Sequence, residues 1–460
     1  MRLVSALTRL ALTVSLLLRA QGARAAEPAE NEHPPAKRAV PNYDGRGGAP
    51  EPPARKLLWL PRALLFPAYV VSEYLVRRPL EAGIGYAERS GWPGAVSDFL
   101  ALNETHPAGV VPFMLVDFGF EPSAGLYAYW DDVGMKGHQV RFRGSTWGPH
   151  WLSGTLKERF VFEDFEFSLK GKLARRPDFT FYGVGPDTRE ADLVRYQGKT
   201  AYAHAQTSLI FSEHNLLETT LGYRGASFGH SDYDEADRGR PGYEPSLDEA
   251  VAAGELPEPD GYRDGYRAAF AGARLVLDSR GKSRSRNGLR LDASVEQSVD
   301  LANRPSSGWL RYGGTAGAFV DLMQGGRFLS LSVTAVLVDP IGDRPVPFTQ
   351  LADLGGGRTM PGLRFGRLAD RSSAVVDLRY TWPIWLSFRG SLQAGVGNVF
   401  GPQFAGIRPG RARLSTALGL ETSGSRDSIF QILVGFGTET FESGAELDSI
   451  RFVVGVRDGF

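Results

Sequence analysis

Residues 288–297 read Gly-Leu-Arg-Leu-Asp-Ala-Ser-Val-Glu-Gln, a run in which apolar and polar side chains alternate. Leu289, Leu291 and Val295 fall on one face of an extended chain, and charged or polar residues fall on the other. This period of two indicates a β-strand with one apolar face and one polar face.

The same alternation continues from about residue 109 to the end of the chain. Segment 374–382, for example, sets Val376 and Leu378 against Asp377 and Arg379. Such runs lie near 109–118, 123–132, 137–147, 150–160, 163–174, 196–212, 216–229, 266–280, 287–299, 308–323, 327–340, 374–384, 386–399, 412–422, 428–441 and 449–460. Many reach the roughly 9 to 11 residues that a tilted strand needs to cross a bilayer.

A soluble β-sandwich also alternates, but its strands are usually shorter than these runs. The pattern therefore predicts an all-β protein, an antiparallel transmembrane β-barrel of about sixteen strands over residues 109–460. Connections after several odd-numbered runs are long, at 175–195, 230–265 and 341–373, whereas those after even-numbered runs are short. We expect the short turns to face the periplasm and the long loops to face outside.

The first residues have the pattern of a secretory signal peptide. Arg2 and Arg9 accompany a short apolar run, and Ala23-Arg24-Ala25 forms a small-x-small cleavage site. We expect a signal peptide over 1–25, and hence export to the bacterial outer membrane.

Two segments separate this signal from the predicted barrel. Residues 26–55 are rich in proline, which predicts a disordered linker. Residues 56–108 begin with an apolar run that Pro61, Arg62 and Pro67 interrupt, so we expect a short helical segment that does not span a membrane. It would lie in the periplasm or at the membrane interface, and a buried core helix is the alternative.

Composition excludes several functions. The 52 basic and 52 acidic residues cancel, so a nucleic-acid partner is not expected, and the chain has no cysteine for disulfide or thiolate chemistry.

One short motif is typical of an enzyme. Gly225-Ala226-Ser227-Phe228-Gly229 matches the G-x-S-x-G motif, but no strand-turn-helix elbow surrounds it. The chain is therefore not expected to be an enzyme, and a lipid hydrolase using Ser227 is the enzymatic alternative. We expect no cofactor and no metal, since the acidic residues near 232–237 lack the spacing of a calcium loop.

One long connection carries a recognisable motif. Gly355, Gly356 and Gly357 precede Met360-Pro361-Gly362-Leu363, and Gly397-Asn398-Val399-Phe400 follows in a later strand. This resembles the barrel of the BamA/TamA superfamily, also called the bacterial surface antigen family. There an Arg-Gly-aromatic tip on the sixth outer loop folds back into the lumen and contacts acidic residues of the following strands.

The resemblance implies roles for charged residues near this tip. Pro361 stands where the family's Arg would be, while Gly362 matches. Arg364 and Arg367 lie close enough in sequence to supply the charge, and Asp377 and Arg379 on the next strand are the expected lumenal partners.

The last strand resembles the C-terminal assembly signal of outer-membrane barrels, with Phe452, Val454 and Val456 alternating before a terminal Phe460. The resemblance to the BamA/TamA superfamily implies a protein that inserts or translocates proteins or lipids at the outer membrane. Residues 26–108 show no strands of the kind that POTRA domains need, so we expect a member without POTRA domains. Its expected partners are outer-membrane lipids and lipopolysaccharide, with client proteins and periplasmic proteins as further candidates. A passive pore or a surface receptor is the alternative.

Overall fold

The computed structural model describes residues 107–458, with gaps at 213, 235–237, 241, 281–286, 303–306, 323–326, 357–358, 386–387 and 423–427. The predicted signal peptide at 1–25 and linker at 26–55 lie outside the described residues, as does nearly all of the predicted helical segment at 56–108. Those three assignments stay predictions.

In the described part of the chain, sixteen antiparallel strands close into one barrel, which confirms the predicted fold. The barrel strands are β1 (Ala108–Asp117), β2 (Ser123–Asp131), β3 (His138–Thr146), β4 (Leu152–Val161), β5 (Phe165–Phe181), β6 (Val194–Ser212), β7 (Asn215–Gly229), β8 (Tyr266–Asp278), β9 (Gly288–Asp300), β10 (Gly308–Asp321), β11 (Phe328–Ile341), β14 (Ser372–Trp385), β15 (Phe388–Phe400), β16 (Arg413–Thr422), β17 (Ser428–Thr440) and β18 (Leu447–Asp458). Two short strands, β12 (Ala352–Leu354) and β13 (Leu368–Asp370), pair with each other between β11 and β14.

The described connections contain little helix. They hold α1 (Leu247–Ala252) and 3-10 turns at Glu190–Asp192, Phe348–Gln350, Pro402–Phe404, Pro409–Arg411 and Phe441–Ser443. No helix among the described residues has the length and hydropathy needed to cross a membrane.

The alternating pattern sorts side chains between the outside and the lumen. Leu289 and Leu291 of β9 point outward and are 66% and 43% exposed. Between them, Arg290 and Asp292 face inward, where Asp292 pairs with Arg274 of β8. The barrel therefore has an apolar outer band and a charged lumen. An apolar outer band of this kind is the surface that lipid chains of a bilayer cover.

Four long connections meet at one end of the barrel, which we call the long-loop end. These are the third loop (182–193), the fourth loop (230–265), the sixth loop (342–371) and the seventh loop (401–412). Aromatic packing joins two of them, because Phe348 of the sixth loop lies against Tyr262 of the fourth loop and against Tyr196 and Phe228 of the wall. The loops therefore form a folded cap.

Strand boundaries agree with the predicted runs to within a few residues, except at β5. This strand was expected to end near residue 174 but continues to Phe181. A register shift between Arg176 and Phe179 carries it past Pro177, and this irregularity interrupts the alternation that the prediction relied on.

Candidate functional site

The sixth loop turns back into the lumen over residues 355–356 and 359–367. Gly355 and Gly356 have positive φ angles of 122° and 66°. A Cβ at Gly355 would lie 2.1 Å from the Arg364 carbonyl oxygen, and the Gly356 N–H donates to the Leu363 carbonyl at 2.6 Å. Only glycine suits such a left-handed, crowded turn. Gly357, the third predicted glycine, lies outside the described residues.

The tip of this loop, Met360–Leu363, rests directly on the backbone of β17. A Cβ at Gly362 would lie 2.2 Å from the Phe436 carbonyl oxygen, so the contact requires glycine. The Gly362 N–H donates to Ser415 Oγ at 2.8 Å, and Ser449 Oγ donates to the Gly362 carbonyl at 2.9 Å. Both backbone polar groups of Gly362 are thus satisfied by the barrel wall.

Arg451 of β18 fastens the tip to the place where the barrel closes. Its side chain is 2% exposed and donates to the carbonyls of Gly356 and Pro361 at 3.1 and 3.2 Å. The same guanidinium donates to both carboxylate oxygens of Asp117 on β1, at 3.0 Å for the Nε contact. One buried cation therefore connects the loop, the first strand and the last strand.

Arg367 is the second buried anchor. Its guanidinium has no exposure and lies 2.9 Å from Asp448 Oδ2 on β18 and 3.2 Å from Glu190 Oε2 in the third loop. It also donates to the Thr188 hydroxyl and carbonyl at 3.0 and 2.9 Å. Since a buried charge needs several partners, this set accounts for a cation at the centre of the cap.

Arg364 contacts acidic groups of the third and fourth loops. It lies 3.4 Å from Glu190 and 3.7 Å from Glu244. Burial raises the pKa of Glu190 above its ordinary value, and the Arg364 and Arg367 guanidinium groups offset that rise only in part. The three loops therefore share one network of charges.

The predicted partners of these arginines need correction. Asp377 accepts a hydrogen bond from Gln393 Nε2 at 2.7 Å, and Arg379 lies 3.1 Å from Glu421. Both face the lumen, as expected, but the ion pairs of Arg364 and Arg367 are with Glu190, Glu244, Glu439 and Asp448. The reason is position, because the loop crosses the lumen to β17 and β18 before its arginines reach the wall.

Asn398, in the stretch that resembles Gly-Asn-x-Phe, ties two other loops to the wall. Its side-chain amide has no exposure and donates to the carbonyls of Pro186 in the third loop, at 3.1 Å, and Arg411 in the seventh loop. Arg413 donates to the Thr188 carbonyl at 2.6 Å and pairs with Glu439.

The seam between β1 and β18 is short. Among the described residues, the strands share three registered residue pairs, from Leu115–Gly455 to Asp117–Val453, whereas β1 and β2 share eight. Gly455 has a φ of 146°, and a Cβ there would lie 2.3 Å from the Met114 carbonyl oxygen.

The predicted C-terminal assembly signal is described only in part. Phe452 is 36% exposed, and Val454 pairs with Val116 in the seam. The Val456 side chain and Phe460 lie outside the described residues.

The G-x-S-x-G motif does not form a nucleophile elbow. It lies inside extended strand β7, where Ser227 is exposed and registered with Lys199 of β6. His230 contacts Asp248 at 3.1 Å in the fourth loop. Extended backbone does not present a serine as a strand-turn-helix elbow does.

Sequence reasoning missed Arg451, Asp117, Asp448 and Glu190 as parts of this site. A signal for Arg451 existed, since alternation with Phe452 and Val454 places residue 451 on the lumen face. Nothing in the sequence indicates that Asp117, far away in the chain, meets it.

Neither a protein-family model nor a curated protein sequence matches the chain. Solved structures do. The chain is similar to BamA from Haemophilus ducreyi lacking POTRA domains 1–3, with 14% identity and a TM-score of 0.52, over 76% of this chain and 70% of that one. It is also similar to CdiB from Acinetobacter baumannii, with 12% identity and a TM-score of 0.46, over 76% of this chain and 59% of that one. At this identity the first likeness concerns the fold, and this chain has the barrel fold seen in BamA.

Proposed function

We propose that this chain is an outer-membrane barrel of the BamA/TamA type, which inserts or translocates proteins or lipids at the bacterial outer membrane. The observation that carries the proposal is the short β1–β18 seam, fastened from inside by Arg451 and the sixth-loop tip. The fold shared with BamA supports it.

The seam leaves strand edges available. Within the described residues, Ala108–Met114 of β1 have no registered partner on β18. Unpaired backbone groups at a sheet edge are a template on which another strand can add. An incoming strand could therefore pair with β1 while the rest of the wall stays intact.

The lumen, by contrast, is poorly suited to free passage of solutes. The sixth-loop tip lies against β17, and the third, fourth and sixth loops share the charge network around Arg367. Opening a path through the cap would strand buried charges, which is costly. This favours insertion or translocation at the β1–β18 seam over a passive pore.

A disulfide across the seam tests the proposal. Val116 and Val454 are registered partners, and paired residues in antiparallel strands have Cα separations that a disulfide can bridge. Because the natural chain has no cysteine, Val116→Cys with Val454→Cys introduces the only thiols. The full-length variant is placed in liposomes, and folding of a urea-unfolded outer-membrane barrel into those liposomes is followed.

We expect the wild-type protein to accelerate client folding. The oxidised variant should fold clients no faster than empty liposomes, and reduction should restore the rate. The matched control joins β7 to β8 through Thr219→Cys and Ala273→Cys, a registered pair away from the seam, and should not respond to oxidation. Equal rates for the oxidised and reduced seam variant, or no acceleration by the wild type, would favour a pore or receptor instead.

A further inference from the structure

The outward face of β3 to β7 carries a groove. Two adjoining cavities, of about 930 and 410 Å³, share the lining residues Phe142, Gly154, Leu173, Ala201 and Tyr223. These residues alternate with lumen-facing ones along each strand, and Phe142, Leu173 and Tyr223 are 46%, 67% and 37% exposed. The groove therefore opens toward the membrane and not toward the lumen.

Strand register explains the depression. One row across the wall runs Gly144, Gly154, Leu173, Ala201 and Gly225, in which four of the five residues are glycine or alanine. The next row continues the floor with Gly171 and Ala203.

The floor of the groove has open space for a ligand. A Cβ added at Gly154 or Gly171 would meet no atom within 4 Å. Phe142 and Tyr223 stand at opposite sides of this floor as walls. An extended hydrocarbon chain fits such a lining, because it needs apolar contact and no hydrogen bonds.

Three cations lie at the long-loop end of the groove. Arg175 of β5 and Lys199 of β6 are registered partners. Arg267 of β8 is registered with Gly225 of β7. All three are on the outward side and line the larger cavity. Their position follows from the strands, since Arg267 comes directly after the fourth loop and β5 leads into the third loop.

These charges are not compensated by the barrel itself. Among the described residues, no carboxylate lies within ion-pair distance of Arg175, Lys199 or Arg267, and the buried Nε of Arg175 has no hydrogen-bond partner. Like charges placed opposite each other on neighbouring strands are unfavourable. An anion bound between them would relieve that repulsion and satisfy the free donor.

We propose that this groove binds one lipid A moiety of lipopolysaccharide, with its phosphates at Arg175, Lys199 and Arg267 and an acyl chain along the Gly154–Ala203 floor. The three cations match a doubly phosphorylated headgroup, and the apolar floor matches its acyl chains. The site requires only that the outward face meets lipid, so it does not depend on insertion activity.

Binding of lipid A to the full-length protein in detergent, measured by native mass spectrometry, tests the site. The variant R175Q/K199Q/R267Q should lower affinity at least tenfold. Its control, R189Q/R263Q/R408Q, removes the same charge from exposed long-loop positions and should bind as the wild type does. Equal binding by the cation variant, equal loss in its control, or no saturable binding by the wild type would overturn the proposal.

A second variant tests the floor. Gly154→Leu adds a side chain where a new Cβ meets no atom within 4 Å, so the barrel should fold while lipid A binding falls. Ala271→Leu introduces the same side chain at an exposed position on β8 outside the groove and should leave binding unchanged. Dephosphorylated lipid A should bind weakly, and inorganic phosphate should not displace lipid A. Full displacement by phosphate would identify a site for a free anion and overturn the lipid assignment.

Discussion

Arg451 contributes one guanidinium to contacts that hold two different parts of the molecule. It pairs with Asp117 across the seam and donates to the Gly356 and Pro361 carbonyls of the sixth loop. The motif resemblance led us to expect an arginine at the tip, where this chain has Pro361. Here the wall supplies the cation and the tip supplies carbonyl oxygens, which explains how Pro361 can occupy the tip.

Replacing Arg451 by Met should loosen both contacts, because Asp117 would remain buried without its partner. Breaking a buried ion pair from one side costs roughly 3–5 kcal/mol. We expect the heat-modifiable gel shift of the barrel to occur at a lower temperature. Arg263→Met, at an exposed loop arginine, is the control and should shift nothing. An unchanged transition in the Arg451 variant would mean that the seam does not depend on this residue.

Gly362 should not tolerate even one added methyl group. In Gly362→Ala the new Cβ would collide with the backbone of Phe436, which cannot rotate away, so the tip should leave its seat. Limited proteolysis of the purified protein should then cut the sixth loop faster. Gly229→Ala adds the same group where no atom lies within 4 Å, and its cleavage rate should match the wild type.

Glu190 should make the cap sensitive to pH. Its pKa is raised in the closed cap, so the closed state binds the proton more tightly than an open state with the ordinary pKa. The contribution of this group is fully present below about pH 4.5 and is lost as the pH rises through the raised pKa. Glu190→Gln should flatten the pH dependence of proteolysis in the third and sixth loops, and an unaltered profile would show that another group controls it.

Single residues of the site could be predicted only in part. The glycines and arginines of the sixth loop stand together in sequence, so the resemblance located them. Their partners Asp117, Glu190 and Asp448 come from distant strands and loops. Which of the many lumenal carboxylates meets an arginine depends on how far the loop crosses the lumen, and alternation carries no such information.

Among the elements, the strands were predictable because each must keep one apolar and one polar face. The hairpin β12–β13 was not, since three residues per strand are too few to show a period. The short pairing between β1 and β18 could not be predicted either, because register follows from pairing and not from the composition of either strand.

Packing between elements should make the cap cooperative. Phe348 is 4% exposed and contacts aromatic residues of β5, β6, β7 and the fourth loop. Phe348→Ala should destabilise the cap by roughly 3–5 kcal/mol, so that both the fourth and the sixth loops become accessible to protease. Phe441→Ala, at a residue 42% exposed, should change neither loop. Cleavage confined to the sixth loop in the Phe348 variant would show that the loops fold independently.

At the scale of the whole molecule, the barrel follows from one constraint that applies to every strand. A barrel in a bilayer needs an apolar outer band, paired charges on the inside and backbone hydrogen bonds that close around the wall. Each strand must therefore alternate, and this is why the period of two predicted the architecture. The seating of the sixth loop inside the barrel is a separate property, which arises from the contacts of its tip with β17 and β18.

The most direct test is conductance in planar bilayers, measured for the full-length protein and for a variant lacking the sixth loop, residues 342–371. We expect low conductance for the full-length barrel, because the sixth-loop tip lies inside the barrel against β17, and a large stable increase after the deletion. High conductance before the deletion, or no change after it in a variant that still shows the heat-modifiable shift of a folded barrel, would show that the sixth loop does not limit conductance.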